Sequence, residues 1–480
     1  MTILMVFNSF AFLYLFPIIF MVYYGVRRLI KGQQCFNRAP NYLLLVISYL
    51  LYAKANPTWC LYLLLITAST YFFARLIEAK QAYGKRIYII VVGATISLLP
   101  LGIFKYYNFL TENITYFLNS LGFQVGIPGL NWAVPLGISF FSFQAVGYLF
   151  DVYYQRIKAE HNCWDYMLFV GFFPQIASGP ISKAKDLLPQ IKASRPFDYS
   201  KCVQGLRWLL WGFFMKTFVA DRLGLYVDTV FNNYEHQTGS SCLVASIFYA
   251  FQIYADFAGY SLMAIGVGAV MGFDLINNFR RPYLSISVTD FWRRWHISLS
   301  TWLKDYVYIP MGGNRCSKAR NYFNIFITFL VSGIWHGANW TYIFWGVLHG
   351  VFQIIEKALG LQKYEEKDAL RVVRIFITFL LVTFAWIFFR MPTIGEAWDV
   401  VVKIFTDVPS SIYKGNNTNT VLSVAAIAIV LLKDWMEEFT SFSLFHNRYV
   451  VVRWASYLTV LFLILLFGVL DSSSFIYASF

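Results

Sequence analysis

LVASIFYAFQIYADFAGYSLMAIGVGAVMGF, Leu243 to Phe273, carries one formal charge, Asp256, in a run longer than the ~20 residues a helix needs to cross a bilayer. Working outward, comparable apolar runs occur at Ile3 to Tyr24, Tyr42 to Ala55, Trp59 to Ile77, Ile87 to Phe104, Trp132 to Tyr153 and Cys202 to Phe231. Beyond it lie Asn321 to Ile334, Trp340 to Ile355, Val372 to Phe389, Val421 to Leu432 and Trp454 to Leu470. The whole composition agrees: of 480 residues, 58% are hydrophobic and only 13% charged, about half the charge of an ordinary soluble chain. The sequence therefore predicts an all-α polytopic membrane protein with about 11 to 12 spans. The shorter runs, such as Tyr42 to Ala55 and Asn321 to Ile334, suit tilted, paired or re-entrant helices.

A net charge of +14 could suggest nucleic acid, but the basic residues stand in short clusters between apolar runs. Arg27/Arg28/Lys31/Arg38, Lys80/Lys85/Arg86, Lys183 to Lys201, Arg280/Arg281, Arg315/Lys318/Arg320 and Lys363 to Arg374 fall on one side when spans alternate from an outside N-terminus. Glu112 to Asn131 and Asn232 to Ser241, on the other side, contain no Lys or Arg. That is the positive-inside pattern of a cytoplasmic membrane protein and excludes a nucleic-acid partner. The first run is followed, not preceded, by basic residues, so it reads as an uncleaved span. Six cysteines without CxxC spacing read as small core residues, with no metal implied.

Two stretches depart from simple spans. WDYMLFVGFFPQIASGP, Trp164 to Pro180, ends in prolines and glycine and reads as a broken or re-entrant helix. TDFWRRWHISLSTWLKDYVY, Thr289 to Tyr308, alternates tryptophans with charges and reads as an interfacial helix. Gly395 to Asn419 reads as an outside amphipathic helix followed by a polar loop.

Ionisable residues at bilayer depth are costly and so mark candidate sites. His336 in SGIWHGANW is flanked by Gly333, Gly337 and Ala338, which let a backbone or substrate approach the imidazole; the alternative is a packing histidine. His296 in WRRWHISLSTW shares a helical face with Trp292, Arg293, Leu299 and Ser300, with Arg294 toward phosphates or water. Its alternative is an incidental position in a tryptophan and arginine anchor. His349 and Asn339, close to His336, are secondary candidates. Asp221 has Lys216 and Arg222 nearby as ion-pair partners, and Asp256 reads as structurally paired. No nucleophile elbow, Walker loop, zinc-binding HExxH or dinucleotide fingerprint is present, which argues against a nucleotide hydrolase or soluble-type esterase.

PYLSISVTDFWRRWHISLSTWLKDYVYIPMGGNR (Pro282 to Arg315) and the following SGIWHGANWTYIFWGVLHG resemble the membrane-bound O-acyltransferase family, in particular its bacterial alginate O-acetylation branch. VPLGISFFSFQAVGYLFDVYY, FFPQIASGPI and FQIYADFAGYSLMAIG extend the resemblance over most of the chain. It implies a single membrane domain over 1–480, with N-terminal spans at 1–131, a motif-bearing core at 132–356 and C-terminal spans at 357–480 around an acyl-transfer tunnel. It further implies His336 as the catalytic histidine, His296 as the second histidine, and Asp221 as an acidic position of the branch. Arg293 and Arg294 become candidates for donor phosphates. Leu262 stands where many members carry an acid, Ala258 replaces a serine, and the ending FIYASF departs from a common FIYFQF.

The function so implied is transfer of an acetyl group from a cytoplasmic thioester, acetyl-CoA by default, for O-acetylation of an exported polysaccharide or peptidoglycan. No bound cofactor is implied. An extracytoplasmic hydrolase-like protein is the implied partner. The alternatives are D-alanyl transfer from a carrier protein to teichoic acid, and a non-catalytic transporter or scaffold. A transporter would predict inverted repeats and midplane charge pairs, which the sequence does not display.

Overall fold

A computed structural model describes residues 7, 9–30, 38–80, 83–362, 370–440, 442–469 and 476. The described residues form helices and no strand, as a chain must whose backbone polar groups have to be satisfied without water. The protein is an all-α, multi-pass membrane protein.

Two compact units are present. The first comprises Met1–Leu206 and Ala264–Ile276. It is built from α1 (Phe10–Leu29), α2 (Ala39–Ala55), α3 (Pro57–Ala79), α4 (Tyr83–Ser120), α5 (Ile138–Tyr153), α6 (Cys163–Gly171), α7 (Phe173–Ile176), α8 (Ala184–Lys192) and the start of α9 (Tyr199–Phe213). The expected broken helix is α6 and α7. Pro174 prevents α6 from continuing, and the Phe173 amide donates to Ser48 Oγ on α2 at 3.1 Å. α4 runs far past the expected Phe104, whereas α5 begins only at Ile138, six residues after the expected Trp132.

The second unit comprises Arg207–Met263 and Asn277–Ser479. After α9 come a π-helical stretch (Phe214–Ala220), α10 (Asp221–Phe231), α11 (Gly239–Val270), α12 (Val288–Arg294) and α13 (Ile297–Leu303). They are followed by a second π turn (Lys304–Tyr308), α14 (Lys318–His336), α15 (Trp340–Ala358), α16 (Arg371–Arg390), α17 (Ile394–Thr406), α18 (Asn417–Phe439) and α19 (Val450–Phe467).

Each expected apolar run contains helix among its described residues. Among the described residues, α1, α3, α4, α11, α16, α18 and α19 are long and apolar enough to cross a membrane. The other runs became α2, α5, the α9–α10 segment, α14 and α15. α2 and α5 are short, and α15 carries His349, Gln353 and Glu356 along its buried stripe, which lowers its hydropathy.

Two expectations need correction. Thr289 to Tyr308 is not one interfacial helix: it breaks at Trp295 and His296, and Trp292, Trp295 and Trp302 are buried, so these indoles fill a core instead of anchoring at headgroups. Among the cysteines, Cys242 is buried but Cys163 and Cys316 are exposed, so the core reading fails for those two; Cys35 lies outside the described residues.

Candidate active site

α14 and α15 form a helical hairpin whose crossing is made by two glycines. A Cβ at Gly333 would collide with the Tyr342 carbonyl and approach Gly346 Cα at 3.2 Å, and one at Gly346 would meet the Phe329 carbonyl at 2.5 Å. Only small residues permit this approach, the usual device where helices associate without a hydrophobic driving force. The hairpin sets His336, the last residue of α14, and His349, on α15, inside the second unit, at 1% and 0% exposure.

Aromatic rings wall both imidazoles. Trp345 lies edge-on to His336 at 4.9 Å and contacts His349 at 4.8 Å; Phe389 of α16 reaches His336 at 5.4 Å. Trp292 of α12 donates from its indole N–H to His349 Nδ1 at 3.1 Å. With Nδ1 accepting, neutral His349 carries its proton on Nε2.

His296 arrives by a different route. It is the residue between α12 and α13, with φ 43° and ψ 54°, a left-handed conformation that side-chain-bearing residues rarely adopt. Asn278, fully buried, holds the kink: its carbonyl accepts the Ile297 amide at 3.0 Å and its Oδ1 the Ser298 amide at 3.1 Å. The result is an imidazole with 0% exposure, 4.6 Å from the Phe257 ring and 5.8 Å from Trp335. Trp335 also contacts His336 at 5.0 Å, so one indole touches both candidate histidines. Burial pushes the His296 pKa down to about 3, which keeps the ring neutral at physiological pH. The face shared with Trp292, Arg293, Leu299 and Ser300, expected from an unbroken helix, does not exist, because the kink re-aims the side chain.

α12 is itself held by α15. Glu356 accepts the Val288 and Thr289 amides at 2.5 and 3.0 Å and the Thr289 hydroxyl at 2.9 Å. A carboxylate thus caps the N-terminus of the short helix that carries Trp292 and leads into His296. Sequence reading missed Glu356, although its signal was there: Trp345, His349, Gln353 and Glu356 recur at helical spacing on one stripe.

A cleft of about 1150 Å³ is lined by residues of α12 to α15 and their connections. Arg293, Lys304, Arg315 and Lys357 line it, and no aspartate or glutamate does so among the described residues. Trp292, Phe329 and Ser332 also contribute, and Ser332 is one turn before His336 on α14. Four cations converging on one cleft make an anion-attracting surface. Arg293 faces this cleft, but Arg294 does not: it is bound to Asp290 at 3.0 Å and Glu438 at 2.9 Å, which occupies its charge within the protein. Lys304, Arg315 and Lys357 were not among the sequence candidates, because their convergence depends on tertiary packing.

The remaining candidates are elsewhere. Asn339 caps α15, accepting from the Thr341 amide at 3.1 Å and donating to the Pro392 carbonyl at 2.8 Å. Asp221 and Asp256 flank Lys216, at 2.6 and 2.7 Å, all three buried. The π-helical stretch brings positions five apart onto one side, so Lys216 meets Asp221. Arg222, offered as a partner for Asp221, instead donates to Asn419 Oδ1 at 2.9 Å and to the Phe467 carbonyl. Of FIYASF only Ile476 is described; its amide donates to Asp256 Oδ2 at 2.8 Å.

Comparison with known proteins covers both the histidine cluster and the basic cleft. The model of the membrane-bound O-acyltransferase family matches residues 130–391. The chain is 38% identical to a probable alginate O-acetylase AlgI of Pseudomonas aeruginosa, over 89% of this chain and 80% of that protein. It is 32% identical to a peptidoglycan O-acetyltransferase of Helicobacter pylori (83% and 79%), and 30% identical to a teichoic acid D-alanyltransferase of Bacillus subtilis (62% and 76%). With a matching model over more than half its length and relatives similar over most of it, this chain is an acyltransferase that belongs to the membrane-bound O-acyltransferase family.

Proposed function

We propose that the protein transfers an acetyl group from a cytoplasmic thioester, acetyl-CoA, through the membrane for O-acetylation of an exported polysaccharide. One observation carries the reading: a cleft lined by four cations and, among the described residues, by no carboxylate includes Ser332, one helical turn from His336. A phosphate-rich carrier suits the cationic part, since arginine and lysine bind phosphate by charge-assisted hydrogen bonds, and the aromatic part suits a short acyl thioester. The relatives that act on alginate and peptidoglycan support acetyl as the group and a glycan as the acceptor class.

His336 serves as general base. It removes the proton of the acceptor hydroxyl, the oxygen attacks the thioester carbonyl, the C–S bond breaks, and the thiolate leaves with a proton returned by the imidazolium. His296 takes the second position, through Trp335, and orients the thioester. Arg293 holds donor phosphate. Aromatic walls exclude water that would hydrolyse the thioester. The protein works in the bacterial cytoplasmic membrane with its N-terminus outside, and a hydrolase-like extracytoplasmic protein completes delivery to the glycan.

The test supplies radiolabelled acetyl-CoA to the cytoplasmic face of inverted vesicles containing the partner and the acceptor glycan. Label in the lumenal acceptor with wild type, and its loss with His336→Ala at equal protein level, is the expected outcome. Acceptor labelling that survives His336→Ala overturns the role of His336. No labelling by the folded wild type overturns acetyl-CoA as donor, and labelling from a D-alanyl carrier would then replace it, in line with the teichoic acid relatives.

A further inference from the structure

α18 and α19 are both span-length, so the segment joining them lies where the chain leaves the hydrocarbon. Large aromatic residues at the adjoining helix ends and in the segment face outward: Trp435 of α18 is 50% exposed, Tyr449 58% and Trp454 of α19 59%. Tryptophan and tyrosine concentrated at the ends of spans mark the headgroup level of a bilayer. Phe445 and His446 of this same segment line a second cleft, of about 260 Å³, separate in its lining from the one beside the histidines.

The walls of the second cleft are apolar, with Trp208, Trp211 and Phe279, and its rim is cationic, with Arg207, Arg280, Arg281 and Lys433. The acids there are engaged. Glu437 pairs with Lys433 at 2.7 Å, and Asp434 accepts the Tyr254 hydroxyl at 3.0 Å. Arg281 is bound by Glu438 at 2.8 Å. Arg207 donates to the neutral Tyr457 hydroxyl at 2.8 Å, and among the described residues neither Arg207 nor the exposed Arg280 has a carboxylate within ion-pair distance. Two guanidinium groups left without an anion, over an indole wall at headgroup level, fit a phosphate that carries an apolar chain. Basic pockets between spans recognise anionic headgroups by this chemistry.

We infer that this cleft binds an anionic phospholipid, its phosphate between Arg207 and Arg280 and an acyl chain along Trp208 and Trp211. A free phosphate shares the first half of that chemistry but not the second. The full-length protein is reconstituted in nanodiscs holding phosphatidylglycerol and phosphatidylcholine, and retained lipid is read by native mass spectrometry. Wild type is expected to retain phosphatidylglycerol selectively, and Arg207→Gln/Arg280→Gln to lose on the order of tenfold in retention. Retention unchanged in the double variant, or equal retention of phosphatidylcholine, overturns the inference. So does full displacement of phosphatidylglycerol by millimolar inorganic phosphate, which would identify a small-anion site. Should the double variant fail to fold, Arg280→Gln, altering an exposed side chain, decides by the same readout, with a loss of about threefold expected.

Discussion

Two polar clusters are buried in the second unit, and they are built on opposite principles. Lys216, Asp221 and Asp256 are formal ions in contact at 2.6 and 2.7 Å, one ammonium shared between two carboxylates. His296, His336 and His349 are surrounded by indole and phenyl rings, with Trp292, Trp335 and Trp345 touching them in turn. A buried ion must have its counter-ion within contact, because the desolvation cost per charge is several kcal/mol. A neutral imidazole needs no counter-charge and can be stored beside aromatic walls with its basic lone pair intact. Depth in the protein is common to both clusters. Only the second holds polar side chains that carry no formal charge.

That contrast can be broken by substitution, beginning with the largest effect. On the proposed role, His336→Ala should lower acetyl transfer by about 10² to 10⁴-fold per folded molecule, measured at equal folded protein because truncating a buried ring also leaves a cavity. Lys216→Met should act on the fold instead, costing about 3 to 5 kcal/mol of stability because two carboxylates are left facing each other without a cation. Asp221→Asn should cost less, about 1 to 3 kcal/mol, because Lys216 and Asp256 remain a one-to-one pair. Denaturant titration of the two variants side by side would refute the ionic account if Asp221→Asn were the worse.

Glu356→Gln sharpens the comparison from within the histidine cluster. An amide cannot replace a carboxylate that accepts two backbone amides and a hydroxyl, so a loss of about 1 to 3 kcal/mol is expected, together with a fall in kcat as α12 loosens. Equal kcat with reduced stability would make Glu356 purely structural. The smallest effect belongs to Trp292→Phe, which keeps an aromatic ring but removes the donor to His349 Nδ1; about 1 kcal/mol is expected from thermal melting.

Much of the fold was legible because lipid imposes a one-dimensional rule. A run such as Leu243 to Phe273 has to be largely helical, and every apolar run read from the sequence contains helix among its described residues. The break near Pro174 was legible too, since proline removes a donor wherever it falls. His336 stood out among small residues because close approach leaves a compositional trace at Gly333. Less local features were not legible. The tryptophans of Thr289 to Tyr308 alternate with charges in a pattern that fits an interface, but Trp295 and His296 break the helix and the indoles go inward. Nothing adjacent in sequence signals this, because Asn278, some twenty residues earlier, supplies the acceptors that stabilise the kink.

The amino-acid sequence by itself determined the solvent, the helical class, the approximate spans and the histidines to suspect, since each follows from hydropathy, backbone hydrogen bonding and local spacing. Tertiary structure alone decided which polar groups meet. Lys304, Arg315 and Lys357 come from three separate elements to line one cleft with Arg293, while Arg294, one residue along, is bound by Asp290 and Glu438. Adjacent residues on a short helix point apart by about 100°, so a single step in sequence carries one guanidinium into the cleft and the other into an ion pair.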